Sequence, residues 1–319
     1  MLIAVPAAID PAAFVGLDPN ALVVDLDGET MGTTWSMRLV PPPRCDLIAI
    51  RAAVVARLDG IVAEMSHWEA DSHLSRFNRA AAGTWTVLPP DFAHVIAAAL
   101  RIAEITDGAF DPAIGRLVDV WGFGPAPVPD LPDEAAIDAA MRVSGWQRLR
   151  FDPAARRLCQ PGGLALDLSG IAKGFAVDTV ANMLAEHGVR HMLVEIGGEL
   201  VGRGVRPDGE PWWVDLEIPP GVKVEPLRVA LHGLAVATSG NYRRGDHNLD
   251  PRTGRPADRG VKSVSVLHPS AMIADAWATA LTVGGPATLA VAEVHGIAAR
   301  ILTDDGERLT PALTAMLEG

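Results

Sequence analysis

The sequence predicts an α+β fold in which helices pack on antiparallel sheets. Helix-period apolar patterns crowd the first half of the chain, and short β-like runs broken by turn residues crowd the second. The two kinds do not alternate, as the strand–helix units of a doubly wound parallel sheet would. At 319 residues, 49% apolar and 21% charged, the chain can bury a large core and falls outside the disordered and fibrous classes. No internal repeat or low-complexity linker divides it. Residues 1–30 are therefore expected as an N-terminal extension and residues 31–319 as one domain.

A first strand is expected over 21–26. Past Pro41-Pro42-Pro43, Asp46 can cap a helix whose apolar positions Leu47, Ile50, Val54, Leu58, Ile61 and Met65 recur at helical spacing. Residues 66–88 look polar and irregular. Asp91 is expected to cap a second helix through Ile105, with Gly108 as its left-handed C-terminal residue. A third helix fits Pro132 to Val143. Strands are then expected at 148–151, 156–159 and 164–168, followed by a helix from Gly170 to Glu186. Further strands fall around 191–196, 212–218, 227–231, 234–238 and 261–267. Helices over 271–283 and 286–295 and a strand over 299–303 complete the series.

Net charge is −12, from 27 basic and 39 acidic residues. A sequence-independent grip on phosphates needs a basic face, so nucleic acid is not expected as a partner. Cys45 and Cys159 are too few for a disulfide scaffold and too far apart for a metal knuckle. The first basic residue is Arg38, so the N-terminus lacks the charged region of a secretory signal. No apolar run approaches the ~20 residues of a spanning helix. A cytoplasmic protein without a membrane span is expected, or a periplasmic one if a leader has been removed. Tyr242, the single tyrosine beside eight Trp and seven Phe, stands apart from generic core filler.

Familiar catalytic signatures are missing: there is no phosphate-binding P-loop, no nucleophile elbow and no H-E-x-x-H. Gly122-Phe-Gly124 runs straight into Pro125, which spoils a dinucleotide fingerprint, and Gly188 separates His187 from His191. Four segments with clustered polar side chains carry the chemistry instead. Ala109-Phe110-Asp111-Pro112 follows a helix end, and Asp111 there is either a cap or a site residue. Asp167-Leu-Ser-Gly-Ile-Ala-Lys-Gly174 enters a helix whose N-terminus and Gly170 suit an anion, unless Ser169 is an ordinary cap. Thr238 to Pro256 gathers Tyr242, His247 and Asp250; a lone histidine can be structural, but placement on a loop favours function. Finally, Asp275 and Thr279 are spaced i, i+4 on an apolar helix, so their oxygens share a side. A buried Asp there wants a cation or a donor, and a hard oxygen pair suits Mg²⁺ better than zinc.

Taken in order, these segments resemble the FAD:protein FMN transferase family, from Met31 to about Thr303. The matching stretches are Met31-Gly32-Thr33, Met65-Ser-His-Trp68 with Asp71 to Asn78, Gly108 to Pro112 through Trp121 to Gly124, Asp167 to Gly174, Glu195-Ile-Gly-Gly198, Thr238-Ser-Gly240, His247 to Pro256 and Ala274 to Thr279. Any one is weak, and eight in order are specific. The resemblance implies a T-fold-like α+β architecture and an enzyme that moves the FMN half of FAD onto a Thr or Ser hydroxyl of an acceptor protein. AMP is released and Mg²⁺ is used. It implies that Met31, Trp68, Ala109, Phe110, Asp111, Ser169, Phe175 and Leu249 line the FAD site. The metal would be held by the Ala172 carbonyl, Asp275 and Thr279, and His247 would be the general base.

Three positions depart from the family pattern. Trp68 stands where Tyr is usual, which keeps a stacking face and removes a phenol donor. Ala278 replaces a carboxylate carried by some members, and Asn241 replaces a common Asp. Two other activities suit the same residues: a Mg²⁺-dependent FAD pyrophosphatase, with water in place of the acceptor hydroxyl, and a non-catalytic FAD-binding protein.

Overall fold

The computed structural model describes every residue except Ala7, 126–130, 242–246 and 318–319. Tyr242 therefore lies outside the described residues. The chain opens with a short strand, β1 (Leu2–Ala4), and then forms the hairpin β2 (Val24–Thr30) and β3 (Thr33–Val40). Met31 and Gly32 make its two-residue turn, both at positive φ (49° and 69°), as a tight twisted hairpin requires. The boundary expected at Met31 thus falls inside a hairpin. The strand expected over 21–26 starts later and extends to Thr30, because its partner is β3, whose alternating Trp35, Met37 and Leu39 enter the core.

Helix α1 (Leu47–Met65) has the expected bounds. Asp46 accepts from the Ile48 and Ala49 N–H groups at its start, and Ile50, Val54, Leu58, Ile61 and Met65 are buried. The stretch expected to be irregular holds α2 (His73–Arg79) and β4 (Trp85–Val87). In α3 (Pro90–Ile105), Pro89 rather than Asp91 occupies the cap and Pro90 the first turn, where its missing N–H costs nothing. Asp91 is instead ion-paired to Arg57 of α1.

Two short helices follow, α4 (Gly115–Val120) and α5 (Glu134–Val143), the latter capped by Asp133. Next come β5 (Arg150–Asp152) and β6 (Arg157–Cys159), which with β4 form a three-stranded sheet. The strand expected at 164–168 does not form. Its apolar side chains are buried, but its backbone is satisfied by loops: Asn78 brackets Leu166 at 2.7 and 3.1 Å, and the Gly115 N–H donates to the Ala165 carbonyl. Burial alone made that run look like a strand.

The second half contains α6 (Ala172–Glu186), β7 (His191–Ile196), β8 (Glu199–Arg203), β9 (Trp212–Asp215), β10 (Leu227–Leu231), β11 (Leu234–Ser239), β12 (Leu249–Asp250), β13 (Arg255–Pro256), β14 (Val261–His268), α7 (Ala271–Gly284), α8 (Pro286–Val294), β15 (Ala298–Thr303), β16 (Gly306–Leu309) and α9 (Pro311–Leu317). An eight-stranded sheet runs in the order β16-β15-β14-β11-β8-β7-β3-β2, with every pairing antiparallel. Among the described residues the one parallel pair lies outside it, where β1 joins β10 in a small β1-β10-β9 sheet.

Side-chain alternation gives the large sheet two apolar faces. On one, Met192, Val194 and Ile196 of β7 pack with α1, α3, α6 and α7 in the main core. On the other, Leu193, Leu200 and Val236 pack on Trp212, Leu227, Val229 and Leu231 of the small sheet. Helix α7 lies between the large sheet and its neighbours α6 and α8, and it is apolar nearly all round, as a helix enclosed on every side must be. No described helix is long and apolar enough to cross a membrane.

Candidate active site

The crossing of α6 over α7 builds the site. A side chain at Gly174 would place its Cβ 2.8 Å from the Met272 Cα and closer still to the Ala271 carbonyl. Only glycine allows that approach. Asp178 of α6 then caps α7, accepting from the Ala271 N–H at 2.9 Å, the Met272 N–H at 3.1 Å and the Ser270 hydroxyl at 2.6 Å. The same packing brings Gly170 against Thr279, whose Oγ1 would lie 2.8 Å from an added Cβ. Asp275 is thereby buried, at 5% exposure, with the Gly174 N–H donating to its Oδ2 at 3.1 Å. Burial pushes the Asp275 carboxyl above its usual range, against the opposing pull of the Lys173 charge.

A second wall comes from the turn between β7 and β8. Gly197 and Gly198 both have positive φ and connect the paired residues Ile196 and Glu199. Glu195 accepts from the Gly198 N–H at 2.7 Å and fixes the turn. Glu199 is 2% exposed and ion-paired to Lys173. Burial raises its pKa to about 7, although the Lys173 charge pulls the other way.

The third wall is the segment after α3. Thr106 accepts from the Phe110 N–H, and Asp111 accepts from the Ala113 N–H at 2.7 Å and the Trp146 N–H at 3.0 Å. Burial outweighs these two donors and raises the Asp111 pKa to about 6. The fourth wall is the end of β11 and the segment entering β12. Asn248 donates to Asn241 at 2.7 Å, and Thr238 and Ser265 share a hydroxyl hydrogen bond of 2.8 Å. His247 is half-buried and edge-on to Phe123, with ring centroids 6.5 Å apart. Burial would raise the Asp250 carboxyl, but Arg252 and Arg259 hold it below the usual range.

These walls enclose a cavity of about 460 Å³. Ala109, Phe110, Asp111, Ser169, His247, Leu249, Asp275 and Thr279, eight of the twelve residues singled out from the sequence, line it. The other four lie off its wall. Met31 is in the β2–β3 turn and packs on the main core, and Phe175 is buried beside His94. Ala172 opens α6 between two lining residues, Gly170 and Lys173. Trp68, 61% exposed, leans on His67, which is 3.6 Å from the lining residue Asp167. Lys173, Glu195 and Glu199 also line the cavity and were not assigned from sequence. Lys173 and Glu195 stand inside matched motifs, and Glu199 follows Gly198 directly.

Residues 31–301 match the family model described as the ApbE family. This chain belongs to the ApbE family. A Klebsiella pneumoniae protein named FAD:protein FMN transferase is 36% identical over 91% of this chain and 87% of its own length. A Vibrio cholerae protein of the same name is 36% identical over 91% of each. The Pseudomonas stutzeri flavinyl transferase ApbE, in its apo form, superposes with a TM-score of 0.87 at 36% identity, covering 93% of this chain and 97% of that one. The ApbE protein of Thermotoga maritima gives 0.82 at 28% identity. The α+β fold is therefore that of the ApbE proteins, and the chain is an enzyme of a flavin-transferase family.

The donors implied for a metal fit a hard cation. Among the described residues no group of three or more His, Cys, Asp and Glu is placed to hold an ion. The implied set is different: one carboxylate, one hydroxyl and one carbonyl, all oxygen. Among the described residues, two buried carboxylates, Asp275 and Glu199, share this corner with the Lys173 ammonium, and the buried Glu199 Oε2 has no hydrogen-bond partner. A divalent cation suits that excess of negative charge.

Proposed function

We propose that this ApbE-family enzyme transfers the FMN half of FAD to a Thr or Ser hydroxyl of an acceptor protein, releasing AMP. The observation that carries the reading is the convergence of eight motif residues, from segments spread between positions 109 and 279, on one cavity. His247 takes the proton from the acceptor hydroxyl. The hydroxyl oxygen bonds to the FMN-side phosphorus, and the P–O bond to the adenylate phosphate breaks with its electrons, leaving AMP. An imidazole is a suitable acceptor for that proton.

Asp275, Thr279 and the Ala172 carbonyl would hold Mg²⁺, which supplies positive charge to the pyrophosphate oxygens. The protein adds its own field. Ser169 and Gly170 lie at the N-terminal end of α6, where the helix dipole favours negative charge, and Lys173 follows within the first turn. Phe110 and Leu249 offer apolar surface to the rings, and Trp68 stands at the rim beside His67.

Mass spectrometry of a candidate acceptor incubated with FAD, Mg²⁺ and this protein tests the reading. An FMN adduct on Thr or Ser with one AMP released per adduct is expected. Free FMN and AMP in equal amounts, with no adduct, would identify a pyrophosphatase. FAD recovered unchanged would leave only a binding protein.

A further inference from the structure

Among the described residues, the Lys173 ammonium acts on two buried carboxylates and is ion-paired to one of them. Lys173 is ion-paired to Glu199, and its charge also acts on Asp275. Asp275 takes its hydrogen bond from the Gly174 backbone instead. The geometry that enforces this choice comes from both sides. Gly197 lies against the Lys173 stem, where an added Cβ would stand 3.4 Å from Cδ, and the Gly197-Gly198 turn delivers Glu199 to the ammonium. Glu199 itself is nine-tenths buried and more, lines the cavity, and keeps Oε2 without a hydrogen-bond partner. A carboxylate buried at such cost needs a reason, since an apolar residue of similar volume is often the more stable choice.

We infer that Glu199 is a positioning residue that holds the Lys173 ammonium off Asp275, so that the Asp275 carboxylate stays available to a divalent cation. This rests on the reading that Asp275 is a metal ligand. Without Glu199, the ammonium turns to Asp275, the other buried carboxylate on which its charge acts, and competes with the cation for it. Glu199 therefore acts through Lys173, and removing Lys173 should make Glu199 nearly irrelevant to the cation.

A double-mutant cycle on the full chain separates this from a simple charge effect. Calorimetric titration with Mn²⁺ alone, without FAD, is the readout. Glu199→Gln should weaken Mn²⁺ about tenfold, within the usual range for directly coupled groups. Lys173→Met should leave Mn²⁺ affinity equal or tighter. In the double variant, the Glu199→Gln effect should shrink to about twofold or less. Equal weakening by Glu199→Gln in both backgrounds means that Glu199 contributes only its charge and overturns the inference, as does no weakening at all. Glu199→Asp, which keeps the charge, should retain Mn²⁺ binding and guards against misreading a folding defect. Asp275→Asn is the control for the underlying reading. If it binds Mn²⁺ as the wild type does, the metal assignment falls and the inference with it. If it loses Mn²⁺ while the cycle is additive, the inference alone falls.

Discussion

The wall made by α6 and α7 and the wall that carries His247 meet in one cavity but are built differently. The first is helix on helix with no room for a side chain at Gly174, three donors gathered on Asp178, and twelve buried residues on α7. The second is the end of β11 and the residues entering β12, where Asn248 donates to Asn241 and His247 is half-buried. Charge on a phosphate is best stabilised by groups that need no rearrangement, so a rigid wall suits the cation side. In the proposed reaction a base meets a hydroxyl brought by another protein, and a residue outside regular helices and strands suits that.

The sharpest way to break this contrast is Asp275→Asn. Transfer should fall to the background rate, because the substitution removes the only carboxylate of the implied ligand set. The fold should persist, since a neutral amide spares the burial of a charge. Melting temperature and turnover measured together decide it: a mutant that melts at or above the wild-type temperature without turnover supports a functional Asp275, whereas normal turnover assigns it to structure.

His247→Ala tests the other wall. General-base catalysis contributes about 10²–10⁴-fold, and turnover should drop by that factor while FAD affinity and melting temperature hold. Parallel losses of FAD affinity, stability and turnover would mean that His247 only pins its loop.

Gly174→Ala asks whether the rigid wall is rigid for a reason. The added methyl would run into the Ala271 and Met272 backbone, so α6 and α7 must separate, at a cost of about 3 kcal/mol, the upper end for overpacking. The Gly174 N–H would leave Asp275, and Mn²⁺ affinity should fall along with the melting temperature. A mutant as stable as the wild type would show that the helices can part cheaply.

Much of the frame and part of the first wall were legible in sequence, and the reason lies in local signals. Asp46, the i, i+4 spacing of Asp275 and Thr279, and the bounds of α1, β7 and β10 all come from short-range patterns that the structure keeps. What was missed depends on partners remote in sequence. Strand β3 alternates cleanly, yet it matters only because β2 and β7 flank it. The Leu164–Leu168 run is as apolar as a strand, but Asn78 and the Gly115 backbone pair with it rather than another strand. Glu199 looks like an ordinary residue after a glycine turn until Lys173, 26 positions away, closes on it.

The smallest effect concerns Asp111, whose folded pKa of about 6 lies above the ordinary carboxylate value. A raised acid binds its proton more tightly when folded. Its contribution to stability is therefore complete below pH ~4 and is lost as pH rises through about 6. Asp111→Asn removes that titration. Its Oδ1 can still accept from the Ala113 N–H, but its amide nitrogen would face the Trp146 N–H, leaving one buried donor unmet. At pH 4 the mutant should be less stable by about 1–2 kcal/mol. The difference should shift by about 2 kcal/mol in the mutant's favour between pH 4 and 7, closing or reversing the gap, because only the wild type then has to bury an ionised carboxylate. Urea unfolding at several pH values measures both curves. Parallel curves across that window would mean that Asp111 does not titrate there, and that the two backbone donors outweigh its burial.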